Sequence, residues 1–322
     1  LLHEIAMTQM TATANLLRGS LVTALLLASA ATASAQLSVP SADTSEWRFT
    51  GVTGDEVDRA FGPGELRAAD GVGGQTLMND VFTTTSAAGI PSIGGSNATV
   101  LAFDRHEPNT TGYTFRPFVA NGSGGVGMRE FTLVYDIYLD SNNVDSYQGL
   151  LQTNDTNSND AELHLEIQTG GFWNDENAAA GGGSIGQGTW SLGAWNRFVF
   201  VNDYDGLFSA MYVNGALAFT DSAYTYCYNG DQGFKNWILS DQNGDVTNGW
   251  IANFAVVDRM LTAQEAALLG GANAGGVFEV TIGTSYCAAV SNSTGVAGAI
   301  SADGSVIVAN NDLALTASSL PT

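Results

Sequence analysis

The stretch between residues 195 and 271 constrains the fold more than any other part of this sequence. It opens with alternating apolar residues such as Phe198 and Phe200, which is the period of a β-strand with one buried face. Asn214-Gly215 then supplies the positive φ angles that a tight hairpin between two strands requires. This part of the chain therefore predicts antiparallel strands joined by short turns.

The same stretch ends on a helix signal. Thr262 can cap the start of a helix, and Glu265, three residues later, can reach back and close a capping box. Gly270-Gly271 can then end the helix. The sequence predicts one short helix near residues 262–269, and a single short helix after a run of strands is a specific order of elements.

The rest of the chain is dominated by short apolar segments separated by turns, to which its 39 glycines contribute. Residues 129–139, for example, alternate apolar and polar side chains. About a dozen such segments are typical of a sandwich of strands. We therefore expect an all-β fold, namely a two-sheet antiparallel jelly roll with one short helix and a small, incomplete β module as its tail.

This order of elements resembles the closing segment of laminin-G-like domains in the concanavalin A-like jelly-roll superfamily, which includes lectins and glucanases. The resemblance covers residues 46–272 and rests on the strands, the Asn214-Gly215 hairpin and the helix capped by Thr262. It implies a jelly roll that often holds one Ca²⁺ ion at its rim. Because the superfamily contains both binding modules and glycoside hydrolases, the resemblance leaves the function open.

The N-terminal residues have the features of a signal peptide. An apolar run at residues 21–33 follows Arg18, and Ala33-Ser34-Ala35 forms a cleavage site. The run is short for a bilayer core of about 30 Å, so we expect secretion or display at the cell surface, without a membrane span after cleavage. The expected segments are a leader and signal peptide at 1–35, a linker at 36–45, the jelly roll at 46–272 and a partial C-terminal β module at 277–322. The last of these resembles a module appended to secreted bacterial proteins.

The charge balance is strongly acidic, with 32 acidic residues against 10 basic ones and a formal net charge of −22. A surface this negative repels the phosphates of nucleic acids and of anionic membranes, so we expect neither as a partner. Two interpretations of the acidity stay open. Most carboxylates can simply solubilise the protein, and a few can bind Ca²⁺.

Two clusters of oxygen side chains are the predicted Ca²⁺ ligands. Asp241, Asn243 and Asp245 alternate along the chain, as at the opening of a Ca²⁺ loop. Asp155 and Asp160 belong to a second run of aspartates and asparagines, and the resemblance to laminin-G-like domains points to the aspartates of both clusters. The alternative is a pair of ordinary turns in which these side chains bond the backbone.

Exposed aromatic side chains are the expected sugar contacts, because sugar faces stack on aromatic rings. Trp173 lies in a polar, turn-rich segment, so we predict that it binds the ligand together with its neighbour Asn174 and with Tyr226. The expected partner is a polysaccharide or glycoconjugate. Most other aromatic residues are predicted to pack in the core.

The candidates for catalysis are weak. Glu162, His164 and Glu166 alternate along a predicted strand and share one face, with Leu163 and Leu165 on the other. Two carboxylates beside an imidazole can perform acid–base chemistry, but the polar face of a half-buried strand explains the same pattern. The glycine-rich run around Ser184 contains a G-x-S-x-G string but lacks the strand–helix context of a nucleophile elbow, and no phosphate-binding loop of the G-x-x-x-x-G-K type occurs. We therefore assign no catalytic residue, and the sequence favours a binding protein over an enzyme.

The chain has two cysteines, Cys227 and Cys287. Outside the cell they can form a disulfide with each other, or Cys287 can have a different partner. Two cysteines without a histidine cluster do not predict a thiolate metal site.

Three functions stay open on the sequence alone. The first is a secreted, non-catalytic module that recognises a glycan or another surface polymer, with Ca²⁺ as a stabilising ion. The second is a glycoside hydrolase or polysaccharide lyase of the concanavalin A-like superfamily. The third is a structural or adhesive protein of the cell envelope that binds a protein partner at the surface. The lack of a catalytic motif favours the first.

Overall fold

The structure, a computed structural model, describes most of the chain after residue 43. The described residues are 37–38, 44–106, 110–116, 127–153, 162–175, 183–222, 227–228, 236–241, 244–279, 299–303 and 314–318. The predicted signal peptide therefore lies outside them.

Strands dominate the described residues. The strands of the first half are β1 (Leu37–Ser38), β2 (Thr44–Thr53), β3 (Glu56–Phe61), β4 (Glu65–Ala68), β5 (Val81–Thr84), β6 (Thr99–Phe103), β7 (Tyr113–Arg116), β8 (Gly127–Met128), β9 (Glu130–Tyr138), β10 (Tyr147–Gln152) and β11 (Glu162–Glu166). Those of the second half are β12 (Gly171–Asp175), β13 (Gly183–Ile185), β14 (Trp195–Asp203), β15 (Phe208–Val213), β16 (Ala216–Asp221), β17 (Cys227–Tyr228), β18 (Asn236–Ile238), β19 (Gly249–Val257), β20 (Phe278–Glu279), β21 (Ala299–Asp303) and β22 (Ala314–Ser318). Three short helices accompany them: α1 (Gln75–Asn79), α2 (Thr85–Ala88) and α3 (Ala263–Leu268).

Sixteen of these strands form one antiparallel sheet. Its main path runs β13-β12-β11-β10-β18-β7-β4-β3-β2-β19-β9-β14-β15-β16, with β6 on β19 and β5 on β6. The central strand β19 pairs with β9 along one side, and with β2 and β6 along the other. The all-β prediction is confirmed. The two-sheet arrangement is not, because hydrogen bonds connect all these strands in an unbroken path.

Strand β2, which pairs with both β19 and β3, is irregular. In β2, Trp47 pairs with Phe254 of β19 and with Arg59 of β3, but the pairing with β3 resumes only at Val52. Phe49, between the two, has a φ of 49°, in the left-handed region that non-glycine residues rarely occupy. Such an irregularity bends a strand, which lets a single sheet turn around its own core.

That core lies between distant parts of the sheet. Leu133 and Ile137 of β9 belong to the same buried cluster as Leu163 and Leu165 of β11. The hydroxyl of Tyr135 donates a 2.9 Å hydrogen bond to the carbonyl oxygen of Leu150 in β10. The β9 region therefore packs against the β10–β12 region across a shared apolar interior.

The predicted closing helix is confirmed. The Thr262 side chain accepts a 3.2 Å hydrogen bond from the Glu265 backbone N–H, and a Glu265 carboxylate oxygen accepts a 2.8 Å bond from the Thr262 N–H. Ala266 of this helix α3 packs in a second buried cluster with Val199 of β14 and Phe278. The outer face of the central strands is thus covered as well, which explains why they are apolar on both sides.

The glycine-rich stretch 270–276 packs against the sheet. Gly276 O accepts a hydrogen bond from Arg197, and the Asn273 N–H donates to Asp136. Val277 and Phe278, immediately after it, are fully buried, and β20 pairs with β1 in parallel. Further along, β21 and β22 pair with each other, inside the predicted tail module.

No helix among the described residues is long and apolar enough to cross a membrane.

Candidate functional site

The side chains of β11 alternate as the sequence predicts. Leu163 and Leu165 enter the main core, and Glu162, His164 and Glu166 share the opposite face. This face is less solvated than expected for a half-buried strand, since His164 is 2% exposed and Glu166 is 6% exposed. Neighbouring segments therefore cover it.

One of these segments is the loop after β18, which carries Ser240, Asp241 and Asp245. It lies over β10 at Gly149, whose N–H donates a 3.0 Å hydrogen bond to Asp245 O. A Cβ at Gly149 would lie 2.8 Å from Ser240 O, so only glycine lets this loop approach so closely. Within the loop, Asp241 Oδ2 accepts a 3.1 Å bond from the Asp245 N–H, which is the turn contact expected of such a sequence.

The approach of this loop brings two parts of the chain together. His164 Nε2 lies 3.4 Å from Asp241 Oδ1, and both side chains are buried. A carboxylate oxygen of Glu162 completes a group of three, in which one donor atom of each residue lies within 4.8 Å of the others. An imidazole and two carboxylates thus converge at the edge of the sheet.

The charges around this group influence each other. Burial raises the pKa of Asp245, with His164 opposing the shift and Asp241 adding to it. Burial also raises the pKa of the nearby Tyr147 hydroxyl, helped by the negative charges of Glu166 and Asp245. Several acids therefore share a small region of reduced solvation, and binding a cation there would relieve their repulsion.

Two partly exposed aromatic rings lie beside the group. Tyr147 of β10 and Trp173 of β12 are 6.3 Å apart between ring centroids, at an interplanar angle of 70°. Tyr147 also contacts the His164 ring edge to face at 6.0 Å. Trp173 was predicted to be a ligand contact. Tyr147 was missed, and its position at the start of a strand that pairs with β11 was the available signal.

Glu166 has a different environment from Glu162. One carboxylate oxygen accepts a 2.6 Å hydrogen bond from the Thr169 hydroxyl, and the other accepts a bond from the Ser184 hydroxyl. Both oxygens are therefore engaged by neighbouring strands and turns. Glu162 is half-buried at the start of β11.

A second buried histidine lies in a similar pair. His106 Nε2 is 3.5 Å from Asp80 Oδ2, and the same oxygen accepts a 2.8 Å hydrogen bond from the Tyr113 hydroxyl. No sequence pattern connects these residues, which come from separate loops and strands. Among the described residues, this pair has no third metal-binding side chain beside it.

Other predicted site residues are separated from this group. Asn174 points to the core side of β12, where its amide donates to Ser209 and Asp221 at 3.4 Å, so it does not join Trp173 on the outer face. Cys227 is described only as part of strand β17. The remaining candidates lie outside the described residues: Tyr226, Asp155, Asp160, Asn243 and Cys287.

Comparison with known proteins gives one match to a family. The laminin-G model of the concanavalin A-like lectin/glucanases superfamily matches residues 106–267, which is half of the chain. No curated protein matches the sequence. The stretch matched includes β11, β12 and the loop after β18.

Several solved structures have a similar fold. Trypanosoma rangeli sialidase in complex with sialic acid is 15% identical, with a TM-score of 0.47 over 72% of this chain and 33% of the sialidase. Domain 4 of the extracellular GH43 arabinanase AbnA from Geobacillus stearothermophilus, in complex with arabinotriose, is 13% identical, with a TM-score of 0.45 over 69% of this chain and 95% of that domain. The receptor-binding domain of botulinum neurotoxin type G is 12% identical, with a TM-score of 0.43 over 69% and 49% of the two chains. This chain spans only about a third of the length of the sialidase.

Proposed function

The chain belongs to the concanavalin A-like lectin/glucanase superfamily, and from that premise we propose that it is a secreted, non-catalytic module that binds a glycan. The observation that carries the proposal is the pair of partly exposed rings, Tyr147 and Trp173, on one face of the sheet. Sugars bind to proteins by stacking their apolar faces on such rings, with polar groups nearby for the hydroxyls. The half-buried Asp245, whose charge acts on the Tyr147 hydroxyl, supplies a polar group of this kind.

The environment of the acids supports binding over catalysis. A glycosidase needs two carboxyl groups that flank the bond to be broken. Glu166 is buried and both its oxygens accept hydrogen bonds from hydroxyl groups, so it is poorly placed to reach a substrate. His164 is buried as well. Of the three candidates on β11, only Glu162 is partly accessible.

The charge of the protein favours a neutral glycan. The formal net charge is −22, Glu166 and Asp245 act on the Tyr147 hydroxyl, and Asp241 lies near Asp245. Polysaccharides that carry carboxylate or sulfate groups would be repelled by this surface. We therefore expect the ligand to be an uncharged polysaccharide or glycoconjugate.

The proposed location is outside the cell or on its surface, supported by the signal peptide predicted from residues 1–35. N-terminal sequencing of the exported protein would test this, with cleavage expected after Ala35. We also propose that the curved sheet acts as the two facing layers of a jelly roll, supported by the core shared between β9 and β11.

Calcium binding stays a prediction. Three of its five predicted ligands lie outside the described residues, and the turn contact between Asp241 and the Asp245 N–H explains the spacing of these two without an ion.

The decisive experiment measures polysaccharide binding. Affinity electrophoresis and calorimetry with neutral and uronic-acid-containing polysaccharides should give binding to a neutral polymer, which Trp173→Ala should abolish. Trp250→Ala is the matched control, because Trp250 is a partly exposed tryptophan on β19 that contacts Tyr138 instead of Tyr147. Equal loss of binding in both variants, or release of reducing sugar that depends on Glu162, would refute the proposal.

A further inference from the structure

His164, like His106, has a buried Nε2 atom without a hydrogen-bond partner among the described residues. The His164 residue as a whole is 2% exposed. A buried polar nitrogen without a partner costs free energy, because it has lost its contacts with water. The atom points toward the carboxylates of Asp241 and Glu162. A cation bound among these three side chains would give His164 Nε2 the partner that it lacks.

The distance between His164 and Asp241 indicates what kind of partner fits. At 3.4 Å, Nε2 and Oδ1 are further apart than the 2.7–3.2 Å or so of an ordinary N–H···O hydrogen bond. Two ligand atoms that bind one tetrahedral Zn²⁺ ion, each at about 2.1 Å, are about 3.4 Å from each other. The pair is therefore spaced as two ligands of one ion.

Glu162 supplies the third ligand. Its oxygen lies within 4.8 Å of the other two donor atoms, and its side chain is half-buried. One nitrogen and two carboxylate oxygens form a donor set for zinc, whereas Ca²⁺ takes oxygen ligands only.

We propose that Glu162, His164 and Asp241 bind a single divalent metal ion of the zinc type. The ion neutralises the carboxylates and provides the partner that His164 Nε2 lacks. Because Glu162 and His164 belong to β11 and Asp241 to the loop after β18, the ion fastens this loop onto the sheet. The site is independent of glycan recognition, and it can be present whether or not the protein binds sugar.

The test uses the full chain without an affinity tag, stripped of metal with a chelator and dialysed. Calorimetry with ZnCl₂ should give one ion per chain, and Co²⁺ should give the visible absorption of a low-coordinate nitrogen–oxygen site. Thermal unfolding should shift upward with Zn²⁺, because a ligand that binds only the folded state stabilises it. Glu162→Gln and His164→Gln should each weaken Zn²⁺ binding more than about ten-fold, since even the groups that only orient metal ligands contribute that much.

His106→Gln is the matched control. It removes the other buried histidine that faces an aspartate, at 3.5 Å, but no third ligand lies beside that pair among the described residues. This variant should retain the Zn²⁺ affinity of the wild type. If His164→Gln fails to fold, the partly exposed Glu162→Gln decides the question. Absence of stoichiometric binding, unchanged affinity in Glu162→Gln, or a response to Ca²⁺ but not to Zn²⁺ would each overturn the proposal.

Discussion

Arg197 and Asp136 form a bidentate ion pair in the interior of the protein. The Nε and Nη2 atoms of Arg197 donate to the two carboxylate oxygens of Asp136, each at 2.7 Å. The same guanidinium donates to Leu269 O at 2.9 Å and to Gly276 O at 3.1 Å. One side chain thus ties β9 and β14 to the end of helix α3 and to the glycine-rich segment.

Replacing Arg197 tests this arrangement. Arg197→Met should lower the free energy of unfolding by about 3–5 kcal/mol, because it leaves the Asp136 carboxylate buried without its cation. Urea denaturation at neutral pH measures the change. Arg67→Gln is the control, since Arg67 pairs with acids while 40% of its side chain is exposed, and it should cost less than about 1 kcal/mol. Similar losses in the two variants would contradict this account.

Gly149 is predicted to be essential for the position of the loop after β18. Gly149→Ala places a methyl group 2.8 Å from Ser240 O, so the loop must move and the protein should lose about 1–3 kcal/mol of stability. Hydrogen exchange at the Gly149 amide, which bonds Asp245 O, should become faster.

Gly183→Ala is the control for Gly149→Ala. Gly183 lies on β13 of the same sheet, and a Cβ at this position would meet no atom within 4 Å. Its effect should stay within about 0.5 kcal/mol. If Gly149→Ala is equally mild, the loop does not depend on a glycine at that position.

The capping box of helix α3 should give a pH-dependent contribution to stability. Hydrogen bonds from Arg259 and Thr262 lower the pKa of Glu265 to about 2 from its ordinary 4.5. A carboxyl whose pKa is lowered by folding stabilises the folded protein at pH values above its pKa in the unfolded chain. This contribution disappears as the pH falls from about 5 toward 2.

Glu265→Gln should therefore cost about 1 kcal/mol at pH 7, a figure reduced for solvent screening of the Arg259 pair, and progressively less as the pH falls through about 2. Denaturation curves at several pH values measure the difference. In an Arg259→Gln background the cost should be smaller, since the two side chains interact. A cost that does not vary with pH would show that the ionised carboxylate is unimportant.

Glu46 should behave in the opposite way. Burial raises its pKa above 4.5, although the Arg48 charge and the hydrogen bond from the Phe278 N–H oppose the shift. The folded protein then holds this proton more tightly than the unfolded chain, so ionisation favours unfolding as the pH rises through the raised pKa. Relative to the wild type, Glu46→Gln should gain stability between acid and neutral pH. Thermal unfolding measures this difference. If Glu46→Gln lost stability relative to the wild type over that pH range, the pKa of Glu46 would not be raised in the folded protein.

Short-range signals in the sequence predicted local structure well. Thr262 and Glu265 lie three residues apart, so their capping box can be read directly, and Asn214-Gly215 has the expected positive φ angles of 50° and 83°. The alternation of β11 likewise follows from the period of a strand. These features depend on neighbours in the chain, whose spacing is fixed by backbone geometry.

Contacts between distant residues were not predictable in the same way. From the sequence, His164 was a weak catalytic candidate and Asp241 was a predicted Ca²⁺ ligand. The two residues were therefore expected in separate sites. They meet because Gly149 lets a loop settle on β10, a contact without a local signature. The continuous sheet was missed for a related reason, since the irregular pairing of β2 depends on both β3 and β19.

The position of β19 in the middle of the sheet has a consequence for the order of synthesis. Residues 249–257 leave the ribosome after β2, β6 and β9, the strands with which they pair. Until then these three strands have unpaired edges, which are templates for aggregation. The nascent chain must therefore be kept apart from other nascent chains until residues 249–257 have been translated and the centre of the sheet can close.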